Sequence, residues 1–186
     1  MVFSSVIFLL YFLPAFLLVY FITPAKLKNL VILLGSIGFY AWGAPLFIFA
    51  ILGTTTADFF LVKIMHNSST EKRRRLFLVL SLCLNLGMLF YFKYCNFFVD
   101  NANLVLKSFG VTEVKWTQII LPIGISFYTF ESLTYAIDVY RKVHQPLKSF
   151  WNYQMYILLF PKLIAGPIVR YHEISDQISD RSANYN

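Results

Sequence analysis

Long apolar runs alternate with short basic ones along this chain. Runs at residues 4–22, 29–42, 45–65, 76–99 and 118–140 carry few charges. A spanning helix needs about 20 mainly apolar residues, so these five segments predict membrane crossings, the second being short. A sixth run, 150–169, is long enough but is broken by Pro161 and by Gly166-Pro167. The expected fold is therefore an all-α polytopic membrane bundle of five or six spanning or broken helices. Residues 1–186 read as one membrane domain, with a short polar tail at 170–186. The first run lacks a positive leader and a small-residue cleavage pattern, and holds Pro14 at its middle. That predicts a retained, kinked helix rather than a secretion signal.

Charge sets the orientation. The loops after segments one, three and five hold ten positive residues: Lys26, Lys28, Lys63, Lys72, Arg73, Arg74, Arg75, Arg141, Lys142 and Lys148. The opposite face holds two, Lys107 and Lys115. The positive-inside rule puts the richer face in the cytoplasm and the N-terminus outside. Lys93 is expected to snorkel outward. The run 72–75 reads as a topology anchor, with an anionic partner as the alternative. Aromatics at 39–42, 91–98 and 150–153 are expected at the interfaces as a belt.

Composition agrees with the pattern. Of 186 residues, 58% are hydrophobic and 13% charged, and the mean hydropathy is +0.64. Soluble domains carry about a quarter charged residues, so an ordinary soluble globule and a disordered chain are excluded. A nucleic-acid reader is excluded too: despite a net charge of +7, the basic residues are sparse and fall between apolar runs. Cys83 and Cys95 are no disulfide framework and read as buried thiols.

Candidate chemistry lies inside the fifth run. Gly124, Tyr128, Glu131, Tyr135 and Asp138 recur at spacings that share one helical face, with Pro122 suited to the first turn. A lone carboxylate at membrane depth is costly unless paired, protonated or hydrated. This stripe predicts either a polar wall of a cavity or tunnel, or interhelical glue. Glu131 should face the bundle beside the broken 161–167 element, where Lys162 follows Pro161. Phe127, Phe130, Thr134 and Ile137 form the neighbouring, mostly apolar stripe. Asp58 is expected to pair with Thr54, one turn away, and Ser81 and Asn85 to act as interhelical glue.

No catalytic constellation is complete. His66 and His144 read as solvated loop side chains. His172-Glu173 with Asp176 lacks the second histidine of a zinc helix, so no metal site is expected. The 124–128 sequence GISFY lacks the last glycine of a nucleophile elbow.

Several motifs are familiar. MVFSS at 1–5, FYAW at 39–42, YFKYCNF at 91–97, LPIGISFYTFE at 121–131, IDVYR at 137–141 and FPKLIAGPIVR at 160–170 resemble the membrane-bound O-acyltransferase family, in its bacterial alginate O-acetylation branch. The resemblance implies a larger bundle that moves an acyl group from a cytoplasmic donor, such as acetyl-CoA, to a hydroxyl of an exported polysaccharide. It implies the bacterial inner membrane, polysaccharide and lipid partners, and other polysaccharide O-acetylation proteins. It also implies a catalytic histidine in a later apolar segment. The chain is thus expected to be the N-terminal part of such a transferase, inactive alone, with no catalytic residue and no bound cofactor of its own. Tyr128, Glu131 and Tyr135 would line its tunnel or orient the acceptor, and Lys162 and Arg170 would hold anionic groups. The alternative is a non-enzymatic small membrane protein, a transporter or assembly scaffold, using the Glu131 stripe as a polar path.

Overall fold

The structure, a computed structural model, describes residues 5–112, 114–122, 124–163 and 171. The described residues form helices joined by turns and one longer stretch without regular structure. A π-helical turn at Phe8–Phe12 leads into α1, Leu13–Ile22. Pro14 falls just after the π turn within one continuous helical run, and the wider spacing of that turn accommodates its ring and missing N–H. A 3₁₀ turn, Ala25–Leu27, leads into α2, Lys28–Gly43. Next come α3, Phe47–Asn67, and α4, Glu71–Ser108. α5 spans Ile125–Tyr140, α6 Phe150–Leu158 and α7 Phe160–Leu163.

Two of these helices, α3 and α4, are long and apolar enough to cross a membrane. α4 holds 38 residues, of which only Ser81, Asn85 and Leu89 are buried. Leu86, Phe90, Tyr91, Phe97 and Phe98 stand exposed on it. An exposed apolar face of that length belongs in lipid. α2 and α5 hold 16 residues each, ~24 Å at 1.5 Å per residue, short of the ~30 Å core. Their lengths do not by themselves make them crossings, which narrows the expectation of five or six.

The core gathers around α6, whose Tyr153, Tyr156, Ile157 and Leu158 are fully buried. Polar side chains tie it down. Gln154 accepts from Thr55 Oγ1 at 2.8 Å and donates to Thr56 Oγ1 at 3.1 Å. Asn152 Oδ1 accepts from Asn29 Nδ2 at 3.1 Å. α1 closes on α2 at Gly35, where a Cβ would stand 2.7 Å from the Phe16 ring. Phe8, Phe12, Phe16, Phe39 and Phe160 cluster beside that contact, with centroids 5.2–6.2 Å apart.

Several expectations are corrected here. Phe39 and Tyr40 belong to the core and not to a belt, whereas Trp42 is exposed. Tyr153, expected at the interface, is wholly buried. Cys83 is exposed and Cys95 half-buried on the unpacked side of α4. α5 starts later than the apolar run. Residues 118–122 are not helical, and Gly124 begins the helix from the left-handed region at φ 79°. Pro122 therefore lies before the helix, and its carbonyl accepts from Ile125 N at 3.4 Å.

The stretch leading to α5 finds its backbone partners on α4. Asn103 accepts from Val114 N at 2.8 Å and donates to Val114 O at 3.0 Å. Asn96 accepts from Ile119 N and the Trp116 indole, and donates to Ile119 O at 2.7 Å. Two amide side chains thus stand in for a missing strand partner.

Candidate functional site

The break before α7 shapes the site. It falls at Leu159, at φ −53° and ψ 107°, and not at Pro161. Proline disfavours helical backbone before it and clashes with the carbonyl four residues earlier, so the chain opens upstream and restarts with Pro161 in a first turn. The freed Phe160 N–H donates to Ser36 Oγ at 3.2 Å, and Ser36 Oγ–H donates to Ile32 O at 2.7 Å. α2 thereby satisfies backbone that the broken helix cannot.

This restart presents Lys162 to α5. Lys162 Nζ lies 3.1 Å from Glu131 Oε1, with the two side chains 7% and 2% exposed. The contact is a close ion pair whose angles fall short of a hydrogen bond. The ammonium also sits 3.7 Å from the Tyr156 ring centroid, a cation–π contact that gains strength where water is excluded. Glu131 Oε2, the Tyr128 hydroxyl, Thr129 Oγ1 and Ser132 Oγ are buried without a hydrogen-bond partner among the described residues. Tyr128, one turn before Glu131, shares its face, whereas Thr129 and Ser132, two residues before and one after it, fall on other faces of α5. The unpaired oxygens on the shared face are open to a polar partner.

Of the expected stripe, Tyr128, Glu131 and Tyr135 are buried on the inner face of α5, while Phe130 and Ile137 are exposed on the other. Asp138 is half-buried, and Gly124 belongs to the helix start. Tyr135 accepts from Leu147 N at 2.9 Å. Its ring packs against Tyr153 and Tyr171 at 4.9 Å each. Arg170, Gly166, Pro167 and the His172, Glu173 and Asp176 group lie outside the described residues.

A second buried carboxylate was read too weakly from sequence. Asp58 does not pair with Thr54, whose hydroxyl returns to Ala50 O and Ile51 O. Instead Ser81 Oγ and Asn85 Nδ2 both donate to Asp58 Oδ1, and the Tyr153 hydroxyl donates to Oδ2 at 2.6 Å. The two residues read as glue therefore converge on one acceptor. His66 is exposed, as expected of a solvated side chain, though it stands in the last turn of α3 and not in a loop, and His144 is half-buried; both line surface cavities where α3 and α5 end and α4 begins.

Among the described residues, fold and site together define an all-helical chain with a long exposed apolar face on α4 and ionisable groups buried between its helices. Known proteins make the class specific. The chain is 39% identical to the probable alginate O-acetylase AlgI of Pseudomonas aeruginosa over 98% of its own length, and 40% identical to that of Azotobacter vinelandii over the same share. It is 31% identical to the peptidoglycan O-acetyltransferase of Helicobacter pylori over its whole length. It spans 35%, 37% and 40% of those relatives, respectively. No family model matches, and no solved structure does. The chain is thus a homologue of the bacterial O-acetylases, as its motifs imply.

Proposed function

We propose that this chain forms the N-terminal part of a membrane-bound O-acyltransferase that moves acetyl groups onto hydroxyls of an exported, alginate-like polysaccharide. The observation that carries this is an alignment to alginate O-acetylases over 98% of the chain. Because the chain spans about a third of those proteins, the transfer itself belongs to the larger assembly of helices. The reading extends to a multi-pass chain of one membrane domain in the bacterial inner membrane, its N-terminus outside. It also extends to acetyl-CoA as donor and to other O-acetylation proteins as partners. A transporter or scaffold role has no comparable support.

The buried pair supplies the local chemistry. A sugar hydroxyl must lose its proton to a base of near-neutral pKa before it attacks a thioester carbonyl. No residue of this chain is assigned that task. Glu131 Oε2 and the Tyr128 hydroxyl, both without hydrogen-bond partners among the described residues, would accept from and donate to acceptor hydroxyls or their water. Lys162 would hold a carboxylate or the developing negative charge, with Arg170 and Tyr135 further along the same wall.

The test must separate chemistry from support. Removing one partner leaves the other charge buried, at a cost of about 3–5 kcal/mol, so single variants lower protein level on either account. Replacing both by apolar groups is close to neutral. In the full gene product that carries this chain, the double variant Glu131→Leu/Lys162→Met should reach the membrane at near-normal level. The acetyl content of the exported polysaccharide, measured as ester by NMR, should fall at least about tenfold, the loss of one transition-state interaction of about 1.4 kcal/mol. Full acetylation by that double variant would leave the pair as glue and remove it from the site.

A further inference from the structure

The first helical run and α2 leave an apolar groove between them. Phe12, Phe16 and Val19 line it on one side and Val31, Leu34 and Gly35 on the other, around about 310 Å³. The Phe16 ring closes its floor against Gly35, where a Cβ would stand 2.7 Å from that ring. Val19 and Leu34 are 49% and 58% exposed, so the groove opens away from the core. From Phe12 to Val19 it runs ~10 Å along the helix axis.

One end of the groove is charged. Past Val19 the chain turns through Lys26, and Val31 stands one helical turn after Lys28. Lys26 is exposed and Lys28 half-buried. Lys28 Nζ sits 4.8 Å from the Tyr20 ring centroid, which holds the ammonium across the gap between α1 and α2 at this end. The ring has no net charge, so that of Lys28 is not neutralised. No acidic residue precedes Asp58 in the sequence, and among the described residues no carboxylate pairs with either lysine. Asp58 itself is buried and held by Ser81, Asn85 and Tyr153. A basic turn at the mouth of an apolar channel has the shape of an amphiphile with an anionic head.

We propose that this groove seats one acyl chain of an anionic membrane lipid, with the charged head at Lys26 and Lys28. A bilayer core of ~30 Å gives each chain ~15 Å, so the groove holds about two-thirds of a chain, the part nearest the head. The charge pattern expects this turn at the cytoplasmic face, where anionic lipids collect.

A neighbouring helix fits the groove less well. Helices associate in membranes through small residues and polar contacts along a stripe. Gly35 is the smallest residue here, and Phe16 already covers it. No polar side chain lines the groove, and its ~10 Å is about a third of the length of a crossing. The Phe16 ring also meets the Phe160 ring edge-on at 5.2 Å. A chain lying on Phe16 therefore backs the aromatic cluster beside the α7 break. The proposal stands whether or not the protein transfers acetyl groups.

The probe is phosphatidylglycerol with a photoreactive diazirine in one acyl chain. It is placed at low fraction in phosphatidylcholine nanodiscs holding the full gene product that carries this chain. After illumination, mass spectrometry locates the labelled peptides. Label at residues 12–19 and 31–35 should exceed that from the same probe built on phosphatidylcholine by at least about fivefold, the preference that one lysine gives an anionic head. Lys26→Gln/Lys28→Gln should abolish this preference and Lys26→Arg/Lys28→Arg should keep it, while Lys72→Gln leaves it unchanged. Ala15 lines the groove from an exposed position. Ala15→Phe fills the groove without touching either lysine, so it should lower label at residues 31–35 and leave label on α4 as it was. Equal labelling by both probes, or a preference that survives the glutamine substitutions, would overturn the proposal and reduce the groove to ordinary lipid contact. Absence of label at both helices would overturn it as well, and would show the groove covered by another part of the protein.

Discussion

Asp58 accepts three side-chain hydrogen bonds from two other helices. Each donor sits deep in apolar surroundings, where it has no water to turn to. Truncating the acceptor leaves Ser81, Asn85 and Tyr153 seeking partners, so Asp58→Ala should destabilise the bundle by about 3 kcal/mol or more. Tyr153→Phe removes one bond and should cost about 1 kcal/mol, the range found for single bonds between membrane helices. Unfolding in mixed micelles against rising sodium dodecyl sulfate would read both. Equal losses would show that the network does not act through Asp58. These polar positions were legible as polar. Their meeting was not, because helical period assigns a residue to a face without saying which helix that face meets. Tyr153 was hidden by its neighbour: Trp151 is 62% exposed and Tyr153 is 0% exposed, although both sit in one aromatic cluster.

Helix ends were harder to read than helix middles. The run 118–140 is apolar throughout, yet α5 occupies only its latter part. Hydropathy does not distinguish irregular backbone from helix, and the amide bonds of Asn96 and Asn103 that hold the stretch before α5 are contacts distant in sequence. The break at Leu159 lies two residues before the proline that announces it, for the same reason that the proline acts on the turn preceding it. Glu71 shows how two elements lock at an end. It accepts from the Tyr140 hydroxyl at 2.7 Å and pairs with Arg74. The Tyr140 bond, with the positive charge of Arg74 beside it, holds the Glu71 carboxyl below its ordinary value. A carboxyl lowered in the folded state contributes its full stability above the ordinary glutamate range, near 4.3. That contribution is lost as pH falls through this range to the folded value. The melting difference between the parent protein and Glu71→Gln should therefore shrink as pH drops from 6 to 3. A difference constant over that interval would mean that the α4–α5 lock does not depend on the carboxylate charge.

Across the whole molecule, the orientation argument becomes an experiment. With Cys83 and Cys95 replaced by alanine, a cysteine introduced at Ser108 should react with an impermeant maleimide added to intact cells. One introduced at Ser69 should react only after the membrane is opened. The reverse pattern would invert the chain. The pattern of runs forecast the all-helical class of the described residues and the exposed apolar face of α4, since both follow from composition along the chain. It did not forecast the packing of short helices around α6. That packing depends on polar side chains such as Gln154, whose worth comes from Thr55 and Thr56 on another helix.

The length of α4 has a mechanical side. Its 38 residues make a rod of ~57 Å, nearly twice the apolar thickness it crosses. With basic residues 72–75 at the headgroups, as the charge pattern expects, Ser81 sits about 9 Å and Asn85 about 15 Å further in. The clamp on Asp58 then lies close to the bilayer midplane, where a slip of α4 by one turn would carry Ser81 and Asn85 off their acceptor and leave Tyr153 as its donor. In a thicker or thinner membrane such a rod accommodates by changing its lean and not by sliding. It acts as a depth gauge, holding its neighbours at one level while the lipid around them changes.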